Sequence, residues 1–280
     1  MDIAARRCVI FIGAGVSKHA HNAGGERPKD WNEFLEHLSS LMDQDKRDEM
    51  QQCMREGDLL STCELAVDGL GNGTFKTELL REYSDKKFEP AQIHDDISRL
   101  DSRFVLTTNV DKLYENRANQ LQANTVVVKN YYDEDVGDAF RRSQRVVLKV
   151  HGTIDSPGKA IFARSHYAKA RRDYPHFYRL LRAMFITHTF IFVGASLRDP
   201  DIQMILEDHA HRFEGSRPHF IVMPQNVART GILRVMENTM NLKALLYDAA
   251  DNHRELGDAI SVLADAVEAQ REKLTQTMDW

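Results

Sequence analysis

The sequence predicts an α/β protein: a doubly wound, mainly parallel sheet with a helical insertion sub-domain. Three observations predict it. Seven short apolar or β-branched runs recur along the chain, at 8–12, 103–106, 125–128, 146–150, 189–193, 219–223 and 243–247. Most are continuous rather than alternating, which is how strands covered by helices on both faces read. Helix-period stretches lie between several of them, and strand–helix alternation of that kind builds a parallel sheet. The stretch from 30 to about 100 breaks the alternation. It holds no convincing strand and reads as three or four helices.

Taken in order, the first strand, CVIFI, ends in Gly13-Ala14-Gly15. Asp30 then stands where a helix cap is needed, with Glu33 as its capping-box partner. Trp31, Phe34, Leu35, Leu38 and Leu41 share a face at helical spacing. Gly69, Gly71 and Gly73 read as a loop. Phe75, Leu79, Leu80 and Tyr83 form another helical face, which Pro90 ends. Ile93, Ile97 and Leu100 lead into the second strand. Asp199-Pro200 carries the N-cap and first-turn signature of a helix running to about Arg212. A last helix begins near Asn252, with Leu256, Ile260, Leu263 and Val267 along one side. That pattern suits a core face or an interface equally. The tail, 270–280, is polar and expected to fray, although the terminal Trp280 invites a contact. The whole is read as one Rossmann-like domain, 1–280, with the insertion at about 30–100 packed over the crevice at the strand ends.

Composition excludes several classes. The chain has 280 residues, of which 42% are apolar, enough for a substantial core. A net charge of −5 provides no global basic field, so direct nucleic-acid binding is not expected. No apolar run approaches the roughly 20 residues that span a membrane. Met1 to Arg7 leads straight into a strand without a leader-like segment, so a soluble, cytoplasmic protein is expected. Cys8, Cys53 and Cys63 form no CxxC pair. Neither a disulfide framework nor a four-cysteine zinc site fits them, and free thiols in a reducing compartment are expected. His19 and His21, like His209 and His211, are spaced so that they do not share a helical face, so no metal site is expected there. Arg141-Arg142 and Arg171-Arg172 read as solvated charge.

Four strand ends carry the chemistry: FIGAGVS, TTNVD, KVHG and FVGASLRDPD. Buried parallel strands that break into small and polar residues mark the crevice where α/β sheets bind ligands. Gly13, Ala14 and Gly15 permit a tight turn and close approach of backbone N–H groups to a diphosphate, and Ser17 adds a hydroxyl. A tight turn with no ligand is the plainer alternative. Position 18 is Lys, so the GxGxxG dehydrogenase pattern fails, and no acidic residue closes a second strand about 20 residues on. The phosphate-loop pattern GxxxxGK[ST] is absent too. Asn109 offers an amide, and Asp111 a carboxylate suited to a carboxamide or ribose hydroxyl, or simply to capping the next helix. His151, at a strand end before Gly152, is placed for general-base work near neutral pH. Gly194 and Ser196 form a second small-residue turn, suited to the other half of a dinucleotide. Asp199 is explained by its cap before Pro200 without any ligand.

Those segments, in that order, resemble the sirtuin family, and the set spans most of the chain. The resemblance departs from the protein deacetylases, which carry a four-cysteine zinc module after the HG and a GIPxFR loop after the first Ser. It is closer to the zinc-free, sirtuin-like group of prokaryotic anti-phage systems, whose members hydrolyse NAD. The resemblance implies Asn109 and His151 as the catalytic pair. It implies phosphate contacts at Gly13, Ala14, Gly15 and Ser17, a nicotinamide-side contact at Asp111, and NAD binding at Thr108. Gly194 and Ser196 would lie on the adenosine side. NAD would be the substrate, zinc is not expected, and products would be nicotinamide and ADP-ribose. The resemblance further implies a homo-oligomer and a HerA-type ATPase partner. Acyl or ADP-ribosyl transfer, and non-enzymatic NAD sensing, remain the alternatives.

Overall fold

The computed structural model describes residues 1–277; the expectation of a contact at Trp280 lies outside them. The strands are β1 (Cys8–Ile12), β2 (Phe104–Thr107), β3 (Val127–Asn130), β4 (Val146–Lys149), β5 (Thr189–Val193), β6 (His219–Pro224) and β7 (Leu242–Tyr247). They form one sheet in the order β3-β4-β2-β1-β5-β6-β7, and each neighbouring pair is parallel. The fold is therefore α/β and Rossmann-like. All five residues of β1 and all four of β2 and β4 are buried, as continuous apolar runs under two helical layers require.

All seven expected strands form, with β3 displaced two residues toward the C-terminus. Ala123 and Asn124 take left-handed conformations, and the Thr125 hydroxyl donates to the Gln122 carbonyl at 2.7 Å. Those residues are spent on a turn, so pairing with β4 starts only at Val127.

Between β1 and β2 lie α1 (Ala14–Ser17), α2 (Trp31–Ser40), α3 (Gln44–Glu56), α4 (Leu59–Leu80) and α5 (Gln92–Arg99). Asp30 and Glu33 form the expected capping box on α2. The glycine loop expected at 69–73 is not a loop. It lies inside α4, where Gly71 alone leaves helical geometry (φ 78°, ψ 151°). A single residue with positive φ kinks the helix, which then resumes, so Phe75 and Leu79 continue into the same core as Phe34 and Leu38. Helices α2 to α4 enclose that separate core, which also takes in Ile154 and Ala163 from the segment after β4. Ile93 and Ile97 of α5 pack on the sheet instead.

The remaining helices are α6 (Leu113–Leu121), α7 (Val136–Ala139), α8 (Arg164–Asp173), α9 (Pro175–Thr187), α10 (Pro200–Arg212), α11 (Thr230–Met240) and α12 (Ala250–Thr277). Helices α7 to α11 cover one sheet face; α5, α6 and α12 cover the other. The layers are tight: Phe185 on α9 stacks on Phe190 of β5 with ring centroids 3.9 Å apart. The last helix places Leu256, Ile260 and Val267 in the core, with Leu263 partly buried against it. No helix among the described residues is long and apolar enough to cross a membrane.

Candidate active site

The chain runs from β1 outward to β2 and to the edge strand β3, returns to β4 between them, then crosses to β5 on the other side of β1. The C-terminal ends of β4, β2, β1 and β5, neighbours in the sheet, lie together at one edge, the position where doubly wound sheets bind ligands. Register fixes the alignment. Thr107 pairs with Lys149, so Asn109 and His151 each stand two residues beyond a paired position. Ile12 pairs with both Thr107 and Val193, so Gly13 and Gly194 each stand one beyond.

The two glycine turns interlock at the crossing between β1 and β5. Gly13 N–H donates to the Val193 carbonyl at 3.0 Å, and Gly15 N–H donates to that of Gly194 at 2.8 Å. A Cβ on Gly13 would lie 2.6 Å from the Ala195 Cα, and one on Gly15 2.8 Å from the Gly194 Cα. Gly194, with φ +63°, would bring a Cβ within 2.5 Å of the Val16 nitrogen. Mutual packing therefore accounts for all three glycines. The N–H groups of Gly13 and Gly15 are already taken, whereas that of Ala14 has no partner among the described residues.

Asn109, Ser17 and Asp111 form one hydrogen-bonded chain. The Asn109 amide donates to the Ser17 Oγ at 2.9 Å and to the Gly13 carbonyl at 3.0 Å. Ser17 Oγ donates onward to Asp111 Oδ2 at 2.8 Å. Asp111 Oδ1 accepts the Leu113 N–H at 3.0 Å, so one carboxylate takes both the Ser17 hydroxyl and an N–H of the first turn of α6, whose N-cap residue is Lys112. With both amide hydrogens spent, Asn109 presents its Oδ1 as an acceptor. Thr108 is half-buried beside it.

Beneath this chain lies a residue that the sequence reading passed over. Lys149 is fully buried. Its Nζ donates to Glu115 Oε1 at 2.6 Å and to the Asp111 carbonyl. Burial pushes the Glu115 carboxyl above its ordinary range, and the Lys149 charge does not fully reverse that. A lysine inside the apolar run VVLKV was the visible signal, because buried lysines need a partner.

His151 meets a second carboxylate. Its Nε2 lies 2.5 Å from Asp199 Oδ2. Tyr167, buried on α8, donates its hydroxyl to the same oxygen at 3.1 Å and lies 3.3 Å from the imidazole nitrogen. Asp199 Oδ1 caps α10, accepting the N–H groups of Asp201 and Ile202 at 2.9 Å each. Burial works to raise the Asp199 carboxyl, but the attraction to the neighbouring His151 imidazole and the bonds from His151, Ile202 and Tyr167 hold it below its ordinary value. The cap expected from the sequence is present, and the second oxygen does something the sequence reading did not foresee. Tyr167 gave no signal in the sequence, since a helical tyrosine in SHYAKA reads as core. Ser196 is exposed and, like the Thr108 side chain, has no hydrogen-bond partner among the described residues, so the network leaves both out.

Among the described residues, no group of three or more His, Cys, Asp or Glu side chains is placed to hold a metal ion. Cys8 and Cys63 are buried, and burial pushes each thiol up to about 12.

A model of the SIR2-like domain matches residues 103–245. The chain belongs to the SIR2-like family. The matched SIR2-like region carries Asn109, His151 and Asp199, and begins after the first glycine turn. Longer relatives extend the similarity. Over 217 residues the chain is 27% identical to the NAD(+) hydrolase ThsA of Enterococcus faecium, covering 76% of this chain and 42% of that protein. It is 24% identical over 231 residues to ThsA of Bacillus cereus, covering 81% and 45% respectively. It is 28% identical over 207 residues to the defense-associated sirtuin 2 of Bacillus subtilis, covering 71% and 19%. The SIR2-like chain thus spans less than half the length of these relatives.

Proposed function

We propose that this SIR2-like chain cleaves NAD to nicotinamide and ADP-ribose, as an NAD-depleting effector of anti-phage defence. The observation that carries the reading is the placement of Asn109 and His151 at the ends of the adjacent strands β2 and β4, in a chain similar to proteins named NAD(+) hydrolases.

The chemistry asks little of the protein. Nicotinamide is cationic in NAD and leaves as a neutral molecule, so no acid is needed. The bond from the ribose anomeric carbon to the ring nitrogen breaks with its electron pair going to nitrogen. Charge then builds on the ribose as in glycoside cleavage. Water adds to that carbon, and its proton passes to His151 and on to solvent. Asn109 Oδ1 accepts a hydrogen bond from the attacking water or a ribose hydroxyl. Its amide cannot rotate away without giving up Ser17 and Gly13, so the acceptor is pre-positioned.

Asp111 keeps lone pairs beyond the two bonds it accepts, and we assign these, with Thr108, to the nicotinamide side. The diphosphate lies along the turn Gly13-Ala14-Gly15 beside Ser17, with Ala14 N–H as the open donor, and Gly194 and Ser196 flank the adenosine side. The same reading expects a cytoplasmic homo-oligomer with a HerA-type ATPase as partner, which mass measurement with and without that partner would check.

The test is purified protein mixed with NAD and followed for nicotinamide release. The reading predicts release that Asn109→Ala and His151→Ala abolish without unfolding the chain. Covalent ADP-ribosylation of protein as the main product, or tight NAD binding with no turnover in any assembled state, would overturn it.

A further inference from the structure

We infer that Asp199 is the positioning residue of His151: it accepts the imidazole Nε2–H, fixes the ring, and leaves Nδ1 as the nitrogen that takes the proton. The inference rests on the NAD-cleavage reading and deepens it.

The geometry is over-determined for a helix cap. A cap needs one carboxylate oxygen, and Oδ1 fills that role with two backbone N–H groups. Oδ2 is turned instead to the imidazole of His151, in the turn just beyond β4, 2.5 Å away. The segment between β5 and α10 is shaped for this. Gly194 and Leu197 both take positive φ, at 63° and 53°, and a left-handed leucine is uncommon enough to mark a conformation held by its surroundings.

The donor and acceptor roles follow from the carboxylate. An ionised Asp199 can only accept, so the nitrogen facing it carries the hydrogen. The Tyr167 hydroxyl hydrogen is committed to the same oxygen at 3.1 Å, and its ring stands edge-on to the imidazole at 86°. Asp201, the other carboxylate near Tyr167, is occupied by Arg171, and Lys149 is turned to Glu115. The imidazole and the Asp199 side chain are 12% and 11% exposed, shielded but still reachable from the crevice. No hydrogen bond among the described residues engages Nδ1, the nitrogen left for a proton. A carboxylate that fixes tautomer and ring orientation is the second-layer arrangement that base catalysis by histidine uses elsewhere.

The experiment uses the full chain with ¹⁵N-labelled histidine and two variants. In the wild type the His151 ring nitrogens should report the Nε2–H tautomer. Asp199→Asn keeps an oxygen for the α10 cap, but its amide offers a donor to Nε2, so the tautomer should switch to Nδ1–H. For NAD cleavage, kcat should fall at least about tenfold, with KM changed by less than about twofold. Tyr167→Phe should keep the tautomer and lose less activity than Asp199→Asn. A wild-type Nδ1–H tautomer, an unchanged tautomer in Asp199→Asn, or wild-type kcat in that variant would each overturn the inference. The tautomer measurement decides it even where the wild type releases no nicotinamide. In that case the NAD reading fails and the positioning role stands or falls alone.

Discussion

The side-chain amide of Asn109 donates to the hydroxyl of Ser17 at 2.9 Å, across 92 residues of sequence. That bond ties the end of β2 to the turn after β1 and points the Asn109 carbonyl oxygen outward. Replacing Asn109 with Ala removes both the tie and the acceptor. Nicotinamide release should fall by about 100-fold or more, while the melting temperature drops by only the few degrees expected from two lost hydrogen bonds. Parallel rate and thermal-unfolding measurements on one preparation separate the two effects.

Gly194 has no room for a side chain. Its φ is +63°, and a Cβ would meet the Val16 nitrogen at 2.5 Å. Backbone cannot step aside as a flexible side chain can, so Gly194→Ala should cost at least about 2 kcal/mol in urea unfolding. A variant as stable as wild type would mean that the two turns do not interlock.

Most of the sheet was legible because buried strands leave an unambiguous mark. CVIFI and TFIFV can hardly be anything else, and Asp30 with Glu33 announces its helix. What could not be read was anything set by two distant segments at once. Gly13, Gly15 and Gly194 read as ligand-facing turns, whereas their first reason is one another, and nothing local encodes that. The Asp199 cap was legible from Pro200 beside it. Its second bond was not, because His151 lies 48 positions away in the chain. Gly71 misled in the opposite sense, since glycines at 69, 71 and 73 look like a loop, yet helical geometry fails at only one of them.

Lys149 and Glu115 form an ion pair with both partners buried. Such a pair contributes little net stability against apolar replacements, but removing one partner strands a charge. Lys149→Met should therefore destabilise the fold by about 3–5 kcal/mol. Adding Glu115→Leu should recover most of that loss. Equal stability for the single and double variants would contradict the account.

His219 gives a pH dependence. Its Nδ1 accepts the Phe190 N–H at 3.1 Å, which requires the neutral ring. Burial, aided by nearby His209, lowers its pKa from the ordinary 6.5 to about 4. A folded value below the unfolded one means that the unfolded chain binds more protons between them. The contribution is thus complete above about 6.5 and is lost as pH falls toward about 4. Melting temperatures should decline over that window. His219→Gln, which keeps an acceptor without a titrating ring, should show a shallower decline.

The central claim is that the ends of β4, β2, β1 and β5 build one NAD-cleaving site. The most direct measurement is nicotinamide released from NAD by the wild type and by His151→Ala, each checked for native folding. The account predicts steady release by the wild type and at least about 100-fold less by the variant. Release by folded His151→Ala at the wild-type rate would contradict it.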